Sequence, residues 1–234
     1  MPLDVLEIAA GTDALPLGQL KFCEQQPVLV QTTVESLLPL ATQLEATLTA
    51  NEFDRANRYH FSVDRQAFLA RRGLLRLLLS DLLEQPADRI EIGIGSTGKP
   101  FLLNHSELHF NVSYSAGKLL IGFRQSKRIG VDVEVMRTLS ERREMARQVF
   151  SKSDCATIED ARSCEQNKLF FRAWTRLESF VKATGAGLTD RSKIDFLSHT
   201  DSIEVSCGGV NWLTEDLELT RPFAAAVTLE CPAG

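Results

Sequence analysis

The chain has no surplus of positive charge, no paired-cysteine spacing, no repeat and no apolar run long enough to cross a bilayer. Its 234 residues carry 26 Lys and Arg against 31 Asp and Glu, a formal net charge of −5. That balance leaves no basic excess to meet phosphates along a duplex, which argues against a nucleic-acid partner. The five cysteines, Cys23, Cys155, Cys164, Cys207 and Cys231, are dispersed and odd in number. They read as reduced thiols, not as a disulfide frame or a zinc site. The opening MPLDVLEIAAG lacks the basic residues and apolar stretch of a signal peptide. A membrane helix needs about 20 consecutive apolar residues, and none are present. The expectation is a cytoplasmic protein with no membrane partner. With 44% hydrophobic and 24% charged residues, it has the mass for one large domain or two small lobes.

What is present is a repeated order of elements. PVLVQTTV reads as a strand. TANEFDRANRYHF opens with Thr49 and carries Glu52 three residues on, a capping box. VDRQAFLARRGLLRLLLSDLL has apolar residues at helical spacing and stops before Pro86. Short strands follow between turn signals: RIEIGI, then STGKP, then ELHFNVSYS, LLIGFR and RIGVDVEV. SERREMARQVFS and NKLFFRAWTRLESFVKATG are helical, the second closing on Gly185 as a C-cap. KIDFLS, IEVSCG, LELT and FAAAVTLE return to strand character. Strand–helices–strands thus occurs twice, which implies an α+β fold of two lobes, 1–124 and 125–234.

One strand carries a chemical oddity. In RIGVDVEVMR, Ile129, Val131, Val133 and Val135 alternate as one apolar face. The other face holds Asp132 and Glu134, roughly 6.6 Å apart along the backbone. Two carboxylates so placed either converge on a divalent cation or form an exposed polar face. Mutual repulsion alone predicts that deleting one of them stabilises the chain. The helix FFRAWTRLESFVKATG adds Glu178 and Lys182, one turn apart at the shoulder of the stripe Phe170, Trp174, Leu177 and Val181. The glycines of ATGAGL beyond it allow a tight exit and close backbone approach to a ligand.

GVDVE, the FS that follows, and WTRLESFVKATGAGL, preceded by GKPFL and HFNVSYS, together resemble the 4'-phosphopantetheinyl transferases of the surfactin-synthetase-activating type. The resemblance runs from about residue 53 to residue 188. It implies a monomeric pseudo-dimer of two similar lobes, each a small, largely antiparallel sheet packed with helices, with the active site in the cleft between them. It implies transfer of the 4'-phosphopantetheine group from coenzyme A to a serine of an apo acyl or peptidyl carrier protein, releasing 3',5'-ADP. The carrier would belong to a fatty-acid, polyketide or nonribosomal peptide synthase. Asp132, Glu134 and Glu178 fall on the family's magnesium carboxylates, a set that manganese also suits, and Lys182 on its phosphate-contacting lysine. Gly98, Lys99 and Pro100 fall on the nucleotide-binding segment, Ser113 on the serine of N-x-S-H-S, and Arg55 and Arg72 on residues that reach the coenzyme A phosphates. Glu178 and Lys182 are the expected catalytic pair, with Glu178 taking the serine proton.

Two positions depart from the family pattern. Leu177 stands where a lysine is common, and Tyr114 stands where the family has a histidine on the pyrophosphate. A carrier-binding scaffold with weakened or lost turnover is the alternative that these changes raise. A generic metal-dependent phosphohydrolase would use similar carboxylates but would not account for the order of motifs. Arg142, Arg143 and Arg147 read either as a basic face for an acidic carrier or as a solvated helix face. His60, His105, His109 and His199 show no mutual spacing and read as structural. Arg71 and Arg76 read as surface residues.

Overall fold

The computed structural model describes residues 3, 5–9, 18, 20, 26–96, 98–185, 194–197, 202–220 and 222–232. Within them the chain runs β1 (Val5–Ile8), β2 (Val28–Thr33), α1 (Val34–Leu37), α2 (Ala41–Glu45), α3 (Ala50–Ala56), α4 (Ser62–Leu83), β3 (Ile92–Ile94), β4 (Pro100–Leu102), β5 (Leu108–Ser115), β6 (Lys118–Gln125) and β7 (Ile129–Val135). It continues through α5 (Arg142–Val149), α6 (Lys152–Asp160), α7 (Ser163–Thr184), β8 (Ser202–Cys207), β9 (Val210–Asp216) and β10 (Phe223–Glu230). The fold is mixed α+β with three small sheets.

The strands sort by chain half. One four-stranded sheet has the order β1-β2-β6-β5, and the other β7-β10-β9-β8, with β3 and β4 forming a separate hairpin. All pairings are antiparallel except β1 with β2. Each half also holds one 22-residue helix, α4 or α7. Leu74, Leu78 and Leu79 of α4 are buried against Val30, Ile121 and Phe123 of the first sheet. Phe170, Leu177 and Phe180 of α7 are buried with Trp212 of β9.

Local chemistry sets the element ends. The box at Thr49 forms, with the Thr49 amide donating to Glu52 Oε2 at 2.9 Å. The α7 C-cap is Gly185 in the left-handed region at φ 68°, its amide bonded to the Val181 carbonyl. The β5–β6 hairpin turns through Ala116 and Gly117, both at positive φ, as a two-residue turn of this twist requires.

Several expected elements are corrected. LELT is not strand. The strand is β9 just before it, whose mixed VNWLTED masks the alternation. Ile194–Leu197 of KIDFLS is loop and turn, because the amides of Phe196 and Leu197 are spent on the Asp154 carboxylate at 2.8 and 2.9 Å. Asp154 belongs to α6, a helix that the sequence reading passed over. Its sequence holds poor helix formers, and the cap in which the Asp154 amide donates to Ser151 Oγ, with burial of Ile158, carries it. Residues 186–188 of ATGAGL, His199 and Cys23 lie outside the described residues. The four described cysteines are free, and no helix among the described residues is long and apolar enough to cross a membrane.

Candidate active site

The two four-stranded sheets meet edge to edge at β5 and β7, and a ladder of side chains joins them. Asn111 Oδ1 accepts the Val131 amide at 2.8 Å, Ser113 Oγ the Val133 amide at 3.2 Å, and Ser115 Oγ the Val135 amide at 3.2 Å. Alternate residues of a strand project to one side, so N-x-S-x-S on β5 meets every second amide of β7. Buried edge amides need acceptors, and here side chains supply them. The backbones therefore stand a side chain's width apart, and the carboxylates of β7 lie in that seam.

Asp132 is 2% exposed. Its Oδ1 accepts from Lys182 Nζ at 2.6 Å and from Ser113 Oγ at 2.9 Å. Ser113 Oγ also accepts from Lys182 Nζ at 3.1 Å, so its one proton and both lone pairs are used. Asp132 Oδ2 is buried without a hydrogen-bond partner. Glu134, half-buried, accepts from Ser115 Oγ at 2.7 Å. Burial pushes its carboxyl above the ordinary glutamate value. The Ser115 bond opposes that rise and the charge of Asp132 adds to it. The ion pair with Lys182 corrects the repulsion argument for Asp132. Deleting Asp132 strands an ammonium instead of relieving a like charge.

Two features place Lys182. Gly130 lets α7 rest directly on β7, since a Cβ there would stand 2.1 Å from the Ser179 carbonyl oxygen and 2.4 Å from Ala183 N. Arg176, fully buried, pairs with Asp216 at 2.6 Å and donates to the Phe196 carbonyl at 2.7 Å, which sets the rotation of α7. Glu178 lies half-buried one turn before Lys182. Among the described residues, no three His, Cys, Asp or Glu side chains gather into a group able to hold a metal ion. Asp132 and Glu134 come together on one face of β7; Glu178 does not join them in such a group.

The GKP segment reaches the same place from the hairpin. The turn between β3 and β4 closes through Gly95 and Lys99, with Gly98 at φ 81°, and Pro100 opens β4 opposite Ile94. Lys99 Nζ donates to the Lys182 carbonyl and, at 3.4 Å, to that of Ile129. Burial, then the charges of Arg128 and Lys182, push the Lys99 ammonium down to about 8.

The arginines form a second region on α3 and α4. Arg55 is exposed, 5.3 Å over the Phe68 ring, and lines an open pocket of about 560 Å³ with Asn51, Asp54, Arg58 and Tyr59. Arg72 is ion-paired to Glu52 Oε1, and Arg76 to Glu52 Oε2 at 2.6 Å. Arg76 is thus a buried residue, at 3% exposure, not a surface one. Burial alone would raise the Glu52 carboxyl; bonds from Arg76, the Thr49 amide and Arg72 hold it below the usual range. Tyr114, 37% exposed, alternates away from Ser113 and Ser115 on β5, and the Arg71 guanidinium lies 4.0 Å over its ring. Arg71 is therefore a stacked residue, not a freely solvated one.

Elsewhere, Arg143 and Arg147 of α5 pair with Glu159 of α6, and Arg142 bonds Gln166. His105 bonds Gln85 at 2.9 Å and His60 packs edge-on to Phe61. His109 is half-buried, which lowers its imidazole.

Comparison with known proteins gives the family of the chain. Residues 128–226 match the 4'-phosphopantetheinyl transferase superfamily, and residues 39–121 match the 4'-phosphopantetheinyl transferase N-terminal family. The chain is 32% identical over 142 residues to the 4'-phosphopantetheinyl transferase AcpT of Escherichia coli O157:H7, covering 61% of this chain and 69% of that protein. This chain belongs to the 4'-phosphopantetheinyl transferase superfamily.

Two further relatives place it within the superfamily. It is 34% identical over 155 residues to the 4'-phosphopantetheinyl transferase HetI of Nostoc sp., covering 65% of each chain. It is 28% identical over 136 residues to Sfp of Bacillus subtilis, covering 58% of this chain and 59% of Sfp. The match thus spans less than two thirds of the length of HetI. In this phosphopantetheinyl transferase family member the fold gathers Ser113, Asp132, Glu134, Lys182 and Lys99 at one seam and sets Arg55, Arg72 and Tyr114 around α3 and α4. The motif reading missed Asn111, Ser115 and Arg71. A period of two in N-x-S-x-S was the available signal for the first two. Nothing in the local sequence marks Arg71 as the partner of Tyr114.

Proposed function

We propose that this protein transfers the 4'-phosphopantetheine group of coenzyme A to a serine of an apo acyl or peptidyl carrier protein, with Mg²⁺ or Mn²⁺, releasing 3',5'-ADP. The seam between β5 and β7, with Asp132, Glu134 and Lys182 in it, is the observation that carries the reading. It lies where the proposed lobes, 1–124 and 125–234, would meet.

The donor set suits a hard cation. Asp132 Oδ2 is a buried anionic oxygen with no partner, and Glu134 is a neighbouring carboxylate whose ionised form burial disfavours. Asp132 and Glu134 would hold the ion beside the coenzyme A phosphates, and the resemblance assigns Glu178, which the structure leaves outside their group, as the third carboxylate. Bound there, it would neutralise charge on the coenzyme A pyrophosphate and on the departing ADP.

The remaining roles belong to the chain. Lys182 places a fixed ammonium beside the pyrophosphate and offsets the negative charge of Asp132. Gly98, Lys99, Pro100 and Ser113 border the nucleotide, and Tyr114, which alternates away from the seam, meets coenzyme A from the side of α3 and α4. Arg55 meets a coenzyme A phosphate, and Arg72, engaged by Glu52, stands behind it. Glu178 takes the proton of the carrier serine. The serine oxygen then bonds to the phosphorus that carries pantetheine, and the bond from that phosphorus to 3',5'-ADP breaks. The acidic carriers of fatty-acid, polyketide and nonribosomal peptide synthases are the partner class, with the α5 arginines as a complementary face. Incubation with coenzyme A, Mg²⁺ and apo carrier proteins tests the reading. The carrier mass increases by one phosphopantetheine; an unchanged mass across all three carrier classes overturns it.

A further inference from the structure

Ser113 and Ser115 repeat one arrangement along the seam. Each hydroxyl accepts an amide of β7, Val133 or Val135, and each touches the carboxylate of the residue just before that amide. A hydroxyl has one proton and two lone pairs. With the amide occupying a lone pair, the proton is left for the carboxylate, which accepts only. The Ser115 proton therefore goes to Glu134 Oε2, across 2.7 Å. β7 is an edge strand of its own sheet on this side. A glutamate has three rotatable side-chain bonds, and holding it in one geometry otherwise costs entropy at the moment of binding. Asp132 is held by two partners, Ser113 and Lys182. Among the hydrogen bonds of the described residues, Glu134 is held by Ser115.

We infer that Ser115 is a positioning residue: it tethers one carboxylate oxygen of Glu134 and leaves the other turned to the cation that the proposed function places at the seam. The inference rests on that reading. Ser115 itself touches neither the substrate nor the ion. It acts through Glu134, as outer-shell partners of ligating carboxylates do.

Mn²⁺ binding to the full chain, read from the loss of the free-ion paramagnetic resonance signal with coenzyme A present, tests it without turnover. Ser115→Ala weakens Mn²⁺ binding by about tenfold. Ser115→Thr, which keeps the hydroxyl, stays within about twofold, and Glu134→Gln falls at least as far as Ser115→Ala. Melting temperatures are taken alongside. If Ser115→Ala does not fold, Ser115→Cys replaces it, since a thiol is a weak donor of similar size. Wild-type Mn²⁺ affinity in a folded Ser115→Ala, with Glu134→Gln weakened, overturns the tether and leaves the proposed function standing. Wild-type affinity in Glu134→Gln overturns the reading of the seam as a cation site, and the tether with it. Equal losses in Ser115→Ala and Ser115→Thr also overturn the tether.

Discussion

Lys182 Nζ lies 2.6 Å from Asp132 Oδ1, so an ammonium at the end of α7 neutralises a carboxylate buried in β7. Removing one member of a buried pair exposes the other to the full cost of an uncompensated charge. Lys182→Ala is expected to cost about 3 kcal/mol, toward the low end for such pairs because 29% of the Lys182 side chain meets solvent. Asp132→Asn combined with Lys182→Met should recover most of that loss. Urea unfolding of Asp132→Asn, Lys182→Met and the double mutant measures the coupling. Additive losses would mean that the pair contributes nothing.

The carboxylates differ in what they do for the fold, and the proposed function gives them one shared role in transfer. Asp132→Ala, Glu134→Ala and Glu178→Ala should each reduce phosphopantetheine transfer to near background, by carrier mass under saturating coenzyme A. Near-normal transfer by Asp132→Ala in Mg²⁺ would remove the carboxylate assignment.

Gly130 is expected to tolerate no side chain. Its Cβ would meet backbone atoms of Ser179 and Ala183, which cannot rotate away. Gly130→Ala should lift α7 off β7 and destabilise the chain by about 3 kcal/mol or more, at the upper end of over-packing costs. Because the shift separates Lys182 from Asp132, transfer should fall even in the folded fraction. A melting temperature within about one or two degrees of the wild type, what about 0.5 kcal/mol would produce in a chain of this length, would contradict the close contact.

Stability should respond to pH at both extremes. Lys99 is held down to about 8, from 10.5 in the unfolded chain. Between those values the unfolded chain binds more protons, so stability rises with pH and is lost as pH falls through 8. Lys99→Met should flatten that rise. Glu52 is held below its ordinary value of 4.5. Its contribution is complete above 4.5 and disappears as pH falls through the lower folded value. Glu52→Gln should therefore be less stable at neutral pH, and the gap should close in acid. Thermal melts of the wild type and both mutants from acid to alkaline pH give both slopes.

Tyr114 with Arg71 across its ring presents a hydroxyl and a nearby fixed charge, where the family has histidine. Tyr114→Phe keeps the stacking and loses the donor, so coenzyme A affinity should fall by about 1 kcal/mol with the melting temperature unchanged. Arg71→Ala should weaken binding further by removing the positive charge. Calorimetric titration with coenzyme A settles both. A Tyr114→Phe mutant that melts lower but binds normally would assign the hydroxyl to the fold alone.

The sequence by itself determined the parts that depend on local order. The helical period of α4 and α7, the box at Thr49 and Glu52, the Gly185 cap and the alternation of β7 are short-range properties, and each was legible along the chain. So were the candidate groups Asp132, Glu134, Glu178 and Lys182, because their spacing within one strand or one helix is fixed by backbone geometry. Tertiary structure decided everything that depends on a partner far along the chain. Asp132 and Lys182 are 50 residues apart, and no local pattern says that one neutralises the other. Arg76 looked like a surface residue until Glu52, 24 residues earlier, was folded against it. The serines of β5 became acceptors for β7 only because two edge strands were brought side by side without fusing. VNWLTED became a strand because β8 and β10 flank it, and burial between two partners outweighs a weak alternation. Residue types set which interactions are available, and the packing of distant segments, through desolvation and close approach, selects which of them form.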